Sequence, residues 1–422
     1  MHSNLLITQL LLPDLSLEAM YAEIRRWHDR HGYRRAGGEP LLNHPDAARK
    51  LRVGYVSGYL RQLGSDSIWL QILPVLQNHD PDQVEIFIYG DCDFQQSQLG
   101  AAWPLAQAWR SLNGLSDSDA AALIRRDGID VLVSLIGHTG RDRITAFVHR
   151  AAPVQVSFHG MITTGVEEMD YWLGDAIATP QESGERFDES LFRLPNLFCF
   201  APIPDAPEVA PLPAHGRDGH VTFGCFNVRS KISPQAVEAM AMVLRQVPGS
   251  RLILKSRGNE YASRTDCEAI TDLFVQHGIA AERIEMLPVT KTQQQHLASY
   301  NAIDIALDTF PYCGCLTTYD ALWMGVPTVA LTGDRFVYRM SQAVLTTAGL
   351  GHLVAASRDE YVFKAVALAG DLEALAETRA SLREAVLNSP LCDTVRFTGN
   401  LEAAYRHMWR DWCASPKSHA SE

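Results

Sequence analysis

The sequence lacks the signatures on which most nucleotide-handling and hydrolytic enzymes rely. It has no GxxxxGK[ST] loop and no GxGxxG turn, so P-loop chemistry and dinucleotide hydride transfer lose their usual basis. It has no GxSxG elbow and no HExxH pair, which argues against serine hydrolysis and zinc-peptidase chemistry. Its eight cysteines, Cys92, Cys199, Cys225, Cys267, Cys313, Cys315, Cys392 and Cys413, are scattered, with no recurring CxxC pair and no dense disulfide framework. That usage suits a reducing compartment. Cys313 and Cys315 form a lone CxC without further ligands nearby in sequence, so no metal site is expected. No Lys/Arg cluster stands out, and 37 basic residues against 49 acidic ones leave a net charge of -12. A nucleic-acid partner is therefore not expected. A local pocket on an acidic protein can still be positive enough for a small anion. No apolar run reaches the about 18 residues of a membrane helix. The opening MHSNLLITQLLLPDLS has neither a basic n-region nor a small-residue cleavage site. The expectation is a cytoplasmic protein without a membrane partner. No internal repeat of roughly 20 to 50 residues is visible.

What is present is ordinary globular composition: 422 residues, 46% hydrophobic and 20% charged, enough for two or three domains. Residues 1–48 read as helical, with Ser16 capping a segment in which Leu17, Met20, Tyr21, Ile24 and Trp27 recur at helical spacing. Arg52 to Ser57, Glu85 to Tyr89, Val131 to Ile136 and Val154 to Phe158 read as buried strands, with helical patterns such as Asp117 to Arg126 between them. Residues 201–219, rich in Pro and Ala and without periodicity, read as a linker. A second series follows: strands at Val221 to Phe226, Arg251 to Lys255, Ile284 to Met286, Ile305 to Leu307 and Thr328 to Ala330, with helices from Pro234 to Gln246 and through Cys267 to His277. Alternation of this kind predicts α/β architecture with two doubly wound, mostly parallel sheets. The expected division is a helical segment 1–48, a domain 49–205, a linker 206–219, a domain 220–390 and a terminal helix and tail 391–422. Ligands of open α/β sheets sit at the carboxyl ends of the strands, and two such domains are expected to leave a cleft.

The stretch Asp304 to Leu331, DIALDTFPYCGCLTTYDALWMGVPTVAL, concentrates the chemistry. A short strand ends at Asp308, a turn with Pro311 and Gly314 follows, and then come Thr317, Thr318 and Asp320 at the head of a helical segment that stops at Gly325 and Pro327. A helix N-terminus after such a loop has free N–H groups and a partial positive charge, and phosphates bind there. Thr and Asp at these positions equally fit simple helix capping.

Several phrases in order carry a resemblance: LRVGYVS at 51–57, DGIDVLVSLIGHT at 127–139, APVQVSFHG at 152–160, FGCFNVRSKISP at 223–234, LDTFPYCGCLTTYDALWMGVPTV at 307–329 and SPL at 389–391. The chain resembles the catalytic region of the O-linked N-acetylglucosamine transferase (SPINDLY-like) family, from about residue 50 to residue 412. HSNLL and PDLS near the start look like the segment that follows helical repeats in bacterial members. The resemblance implies a GT-B fold and an inverting, metal-free transfer from a nucleotide sugar, usually UDP-linked, to a protein side chain, with no cofactor beyond that donor. It places Lys231 at the donor diphosphate, with Asn227 in the same phrase at the donor site. Gly314, Thr317 and Thr318 join Lys231 at the diphosphate, and Asp320 lies at the ribose hydroxyls. It places His296 beside the nucleotide, and Lys291 and Thr290 near the uracil or ribose. His138, ending a strand, is expected at the sugar, and His159 and Gly160 end the next strand in the same way. The sequence departs from the family in Gly58 to Ser67. Leu63 stands where a histidine is usual and Tyr59 where an acid is usual, which leaves Asp66 as the protonatable candidate of that loop. Gly314-Cys315-Leu316-Thr317-Thr318 replaces the usual GGTTT. Two alternatives stay open: transfer of another activated sugar, such as a nonulosonic acid on flagellin, and a non-catalytic sugar-nucleotide-binding scaffold.

Overall fold

The computed structural model describes residues 2–32, 41–63, 68–139, 143–217 and 220–415. Among them, thirteen short strands form two wholly parallel sheets. The first sheet holds β1 (Leu51–Val56), β2 (Val84–Gly90), β3 (Ala108–Ser111), β4 (Val131–Ser134), β5 (Val154–Ser157), β6 (Tyr171–Asp175) and β7 (Ser190–Leu194), in the order β3-β2-β1-β4-β5-β6-β7. Val53 lies opposite Ile86 on one side and Val131 on the other. The second holds β8 (Thr222–Cys225), β9 (Arg251–Lys255), β10 (Ile284–Leu287), β11 (Ile305–Leu307), β12 (Thr328–Leu331) and β13 (Val354–Ala355), in the order β10-β9-β8-β11-β12-β13. In both sheets the chain winds outward one way from the first strand and then resumes on its other side. Helices therefore cover both faces, which is why β4, β5 and β8 are buried at every residue.

The helix starts follow local chemistry. Ser233 caps the helix Pro234–Gln246 by accepting from Ala236 N, and Pro234 fills the first turn where its missing N–H costs nothing. Ser116 and Ser263 cap their helices in the same way. Ser16 accepts from Ala19 N at the head of the helix Leu17–Trp27, which buries Met20, Ile24 and Trp27.

The chain divides into two compact units. The first comprises the described residues up to Gln9, from Leu15 to Ala201 and from Asp393 onward; the second comprises Leu10–Asp14 and Pro202–Cys392. Two expected boundaries change. The opening segment is not a unit of its own, and the terminal helix, Thr394–Cys413, belongs to the first unit. That helix carries an apolar stripe of Phe397, Leu401, Ala404, Tyr405, Met408, Trp409 and Trp412, which requires a surface to cover it. Polar bonds fix its register: Trp409 Nε1 donates to Asp46 O at 2.9 Å, and His79 Nδ1 lies 2.8 Å from Glu402 Oε1. Among the described residues no helix is long and apolar enough to cross a membrane.

Candidate functional site

In the second unit the winding reverses between β8 and β11, and the chain ends of these two strands carry a dense polar network. Parallel α/β sheets bind ligands at such a reversal. Asp308, the residue after β11, is its hub. Its Oδ1 accepts from Asn227 Nδ2 at 2.8 Å, from Thr309 N at 2.9 Å and from Gly314 N at 2.9 Å, and its Oδ2 lies 3.1 Å from Gly314 N. Burial pushes its carboxyl above the usual range, against the hydrogen bonds from Ser341 and Gly314. Asn227, just after β8, in turn accepts from Thr317 Oγ1 at 3.2 Å. The loop after β8 and the loop after β11 are thus one construction. Ser233 adds a stitch, its hydroxyl donating to Phe310 O at 2.5 Å.

Lys231 sits on a short helical turn in the first of these loops, half-buried. Its amine donates to Cys313 O at 2.8 Å and rides 4.1 Å from the centre of the Tyr312 ring. Those contacts aim a cation at the turn Cys313–Cys315 that opens the next helix. Burial pushes the amine below the usual lysine range, with the neighbouring Cys313 and Asp308 opposing that shift.

That next helix runs Leu316–Trp323. Its N-cap position is Cys315, and no side chain caps it. The capping expectation for Thr317, Thr318 and Asp320 therefore fails, because all three lie inside the helix. Thr317 turns to Asn227, and Thr318 Oγ1 meets Ser341 Oγ at 2.8 Å, Ser341 donating on to Gly314 O at 2.9 Å. Gly314 is required by crowding. A Cβ there would lie 2.5 Å from Thr317 Oγ1 and 2.9 Å from both Asp308 Oδ1 and Thr318 Oγ1.

One turn further, Asp320 is fully buried and bonded through Oδ2 to Arg257 Nη2 at 2.7 Å. His296 Nε2 lies 3.5 Å from the same oxygen, and its Nδ1 lies 2.8 Å from the amine of Lys255, which ends β9. Lys255 also reaches Thr290 Oγ1 at 3.3 Å. His296 and Asp320 are together as expected. Lys291 is not with them: it is exposed, and its backbone N–H donates to Gln295 Oε1. The cationic position beside His296 is taken by Lys255.

In the first unit His138 is a packing residue. Its Nε2 donates to Thr164 O at 2.8 Å, its Nδ1 lies 3.2 Å from Ser3 Oγ, and Trp27 stands edge-on to the ring at 4.6 Å. Trp27 Nε1 donates to the same Ser3 oxygen, so both ring nitrogens are occupied in holding the N-terminal helices. Burial lowers its pKa to about 4. The strand end placed it correctly, but the helices preceding β1 cover it, which corrects the expectation of a catalytic or sugar-site histidine. His159 is likewise buried, in a left-handed conformation (φ 56°), tilted against Phe158 and stacked on Phe198. A Cβ at Gly160 would strike Trp172 at 2.7 Å. Tyr59 N donates to Ser57 Oγ, and Leu63 N donates to Gln98 O. Asp66 lies outside the described residues.

The sequence reading missed Asp308 as a hub, Ser341 as the partner of Thr318, and Lys255 and Arg257 beside His296 and Asp320. Asp308 and Lys255 share one signal: a charged residue at the end of the apolar run of a parallel strand.

The protein-family model described as glycosyl transferase family 41 matches residues 40–203 and 214–401. A Solanum lycopersicum protein with the name "Probable UDP-N-acetylglucosamine--peptide N-acetylglucosaminyltransferase SPINDLY" is 37% identical over 371 residues, 86% of this chain and 39% of that protein. An Arabidopsis thaliana protein of the same name is 36% identical over 381 residues, 88% of this chain and 41% of that protein. The chain thus spans about two fifths of the length of these curated relatives. Among solved structures, an O-GlcNAc transferase mutant of Thermobaculum terrenum superposes with a TM-score of 0.88 at 36% identity, covering 98% of this chain and 78% of that one. A Rickettsia africae glycosyltransferase, 12% identical with a TM-score of 0.53 over 86% of this chain and 99% of that one, shares the fold alone.

Proposed function

The chain belongs to glycosyl transferase family 41 and has a GT-B fold, and on that premise we propose that it moves a sugar from a UDP-sugar to a serine or threonine hydroxyl of a protein. The sugar is N-acetylglucosamine or a hexose, the transfer inverts the anomeric carbon, and no metal or other cofactor takes part. The names of the relatives support the donor and the acceptor class.

The observation that carries the reading is the placement of Lys231 against the uncapped head of the helix Leu316–Trp323. A leaving diphosphate gains negative charge as the sugar bond breaks. A fixed cation and free helix N–H groups stabilise that charge without reorganising, and losing one such donor costs roughly 10²–10³ in rate. The Asp308–Asn227–Thr317 network supplies the rigidity, because every member is bonded to the next. The acceptor oxygen attacks the anomeric carbon from the face opposite the diphosphate. Its proton passes to Asp66 or to a phosphate oxygen of the donor, since His138 is committed to packing. The scattered spacing of the eight cysteines in the sequence supports a cytoplasmic setting.

Mass spectrometry of serine- and threonine-containing peptides incubated with protein and UDP-N-acetylglucosamine tests the reading. A mass increase of one sugar per modified hydroxyl, absent with Lys231→Ala, is the expected result. UDP binding without transfer from any UDP-sugar would favour a scaffold. Transfer only from a donor with another nucleotide would favour the altered-donor alternative, which Cys315 and Leu316 in place of the family's glycine and threonine support.

A further inference from the structure

Lys231 and Asp308 belong to one construction, yet they form no ion pair. Among the described residues no carboxylate comes within ion-pair distance of the Lys231 amine, and the Asp308 oxygens are taken by Asn227, Thr309 and Gly314. An ammonium drawn out of water without a counter-ion is costly. What this one meets instead is a single carbonyl, Cys313 O at 2.8 Å, and the face of the Tyr312 ring, centred 4.1 Å away. That is well inside the roughly 6 Å over which an aromatic face attracts a cation. Tyr312 is buried, and burial pushes its phenol above the usual range, so the ring offers a quadrupole and no net charge.

The turn that carries both partners is fixed. Tyr312 O accepts from Thr309 Oγ1 at 2.9 Å. Cys313 Sγ donates to Val337 O at 3.1 Å and accepts from Ser341 N at 3.3 Å. An ammonium has three N–H donors. The carbonyl takes one and the ring face a second, which leaves one for a ligand. A carboxylate in place of the ring would hold the lysine too, but it would neutralise the cation and repel a diphosphate. A ring face holds the ammonium and leaves its whole charge to the anion. Lysine has a flexible four-carbon stem, so without such a clamp the charge spreads over many rotamers.

We propose that Tyr312 is the positioning residue of Lys231: its ring face keeps the ammonium charged and aimed at the head of the helix Leu316–Trp323 without neutralising it. This rests on the donor reading above, in which Lys231 meets the diphosphate, and adds what keeps that cation in place. The titratable groups facing the amine are Asp308 after β11, Cys225 at the end of β8, and Cys313 and Cys315 on the turn. Burial pushes the thiols of Cys225 and Cys313 up to about 12, and that of Cys315 upward as well, so all three are neutral at pH 7. Burial also pulls the Lys231 amine below the usual lysine range, and an aromatic face opposes that pull.

The test uses the full chain with ¹³C-labelled lysine, and UDP as the probe. In the wild type the Lys231 Cε–H signal, identified by its loss in Lys231→Ala, should lie upfield of the other lysines because it sits over a ring. Tyr312→Leu should return that signal to the ordinary position and move its titration to lower pH, which a merely structural tyrosine would not do. The same variant should raise the Kd for UDP about 5- to 30-fold, the weight of one desolvated ring–cation contact on the population of the aimed rotamer. Tyr312→Phe keeps the face and loses only the hydroxyl, so it should restore the upfield signal and most of the affinity. A wild-type Lys231 signal at the ordinary position overturns the proposal without any variant, as does its loss in Tyr312→Phe, so the test stands even where Tyr312→Leu fails to fold. A folded Tyr312→Leu with unchanged UDP affinity, when Lys231→Ala weakens it, overturns the proposal and leaves the donor reading standing. UDP binding untouched by Lys231→Ala, or no UDP binding at all, overturns the donor reading and the proposal with it.

Discussion

Asp308 offers the sharpest quantitative prediction, because one buried carboxylate satisfies several donors at once. Asp308→Ala strands Asn227 Nδ2, Thr309 N and Gly314 N in a dry site. Each buried donor left unpaired costs roughly 1–3 kcal/mol, so about 3–9 kcal/mol is lost together, a large part of the about 5–15 kcal/mol that holds a domain. Asp308→Asn behaves differently. An amide oxygen at the Oδ1 position keeps all three of those bonds, while an amide nitrogen at the Oδ2 position can no longer accept from Gly314 N or take part in the contact with Ser341. The amide also removes a titration. The folded carboxyl has its pKa raised above the ordinary 3.8 by burial, so above 3.8 the folded state holds its proton more tightly than the unfolded chain. Stability from this group is fully present below that value and is lost as pH rises through the raised one. Asp308→Asn should therefore sit within about 1–2 kcal/mol of the wild type at pH 7 and lose that pH dependence. Urea unfolding of the three proteins at pH 4 and pH 7, followed by intrinsic fluorescence, separates the cases. If Asp308→Ala and Asp308→Asn cost the same, or if alanine costs less than about 1 kcal/mol, the hub described for this site does not hold it together.

Gly314→Ala should leave the protein folded, at a cost of about 1–3 kcal/mol of overpacking, and raise the calorimetric Kd for UDP about tenfold or more, because the new methyl takes the space of the Thr317 and Thr318 hydroxyls. An unchanged Kd would remove that turn from the donor site. The first unit should lose stability as pH falls from 6.5 to 4, since the unfolded His138 protonates across that range while the buried ring does not. The expected loss is about 3 kcal/mol. His138→Gln should flatten that limb in acid-unfolding curves and leave UDP affinity unchanged; a fall in UDP affinity would return His138 to the ligand site.

Much of the scaffold was legible because it is written in local rules. The strands β9 and β11 and the helices Asp117–Arg126 and Pro234–Gln246 lie where apolar runs, a capping serine and a following proline placed them. Strands such as β7, with an exposed and half-buried pattern, and the two-residue β13 carry no comparable signal, because pairing with a neighbour rather than their own residues makes them strands. The polar cluster was legible where a motif existed: Lys231, Asn227, Gly314 and Thr317 converge. It was illegible where meaning lies in tertiary distance. Lys255 is 41 residues from His296 in sequence and 2.8 Å from it in space, whereas Lys291, its near neighbour in sequence, is exposed. His138 misled for a related reason. A strand end is a good place for a ligand, but the segment that closes over this one comes from the far N-terminus.

The central claim is that the head of the helix Leu316–Trp323, with Lys231 against it, binds a nucleoside diphosphate. Isothermal titration of the wild type and of Lys231→Ala with UDP, UDP-sugars, GDP and uridine tests it most directly. The account predicts that UDP binds and uridine binds far more weakly, and that Lys231→Ala loses most of the difference while its thermal unfolding stays close to that of the wild type. Equal affinity for UDP and uridine, or UDP binding untouched by Lys231→Ala, would contradict it.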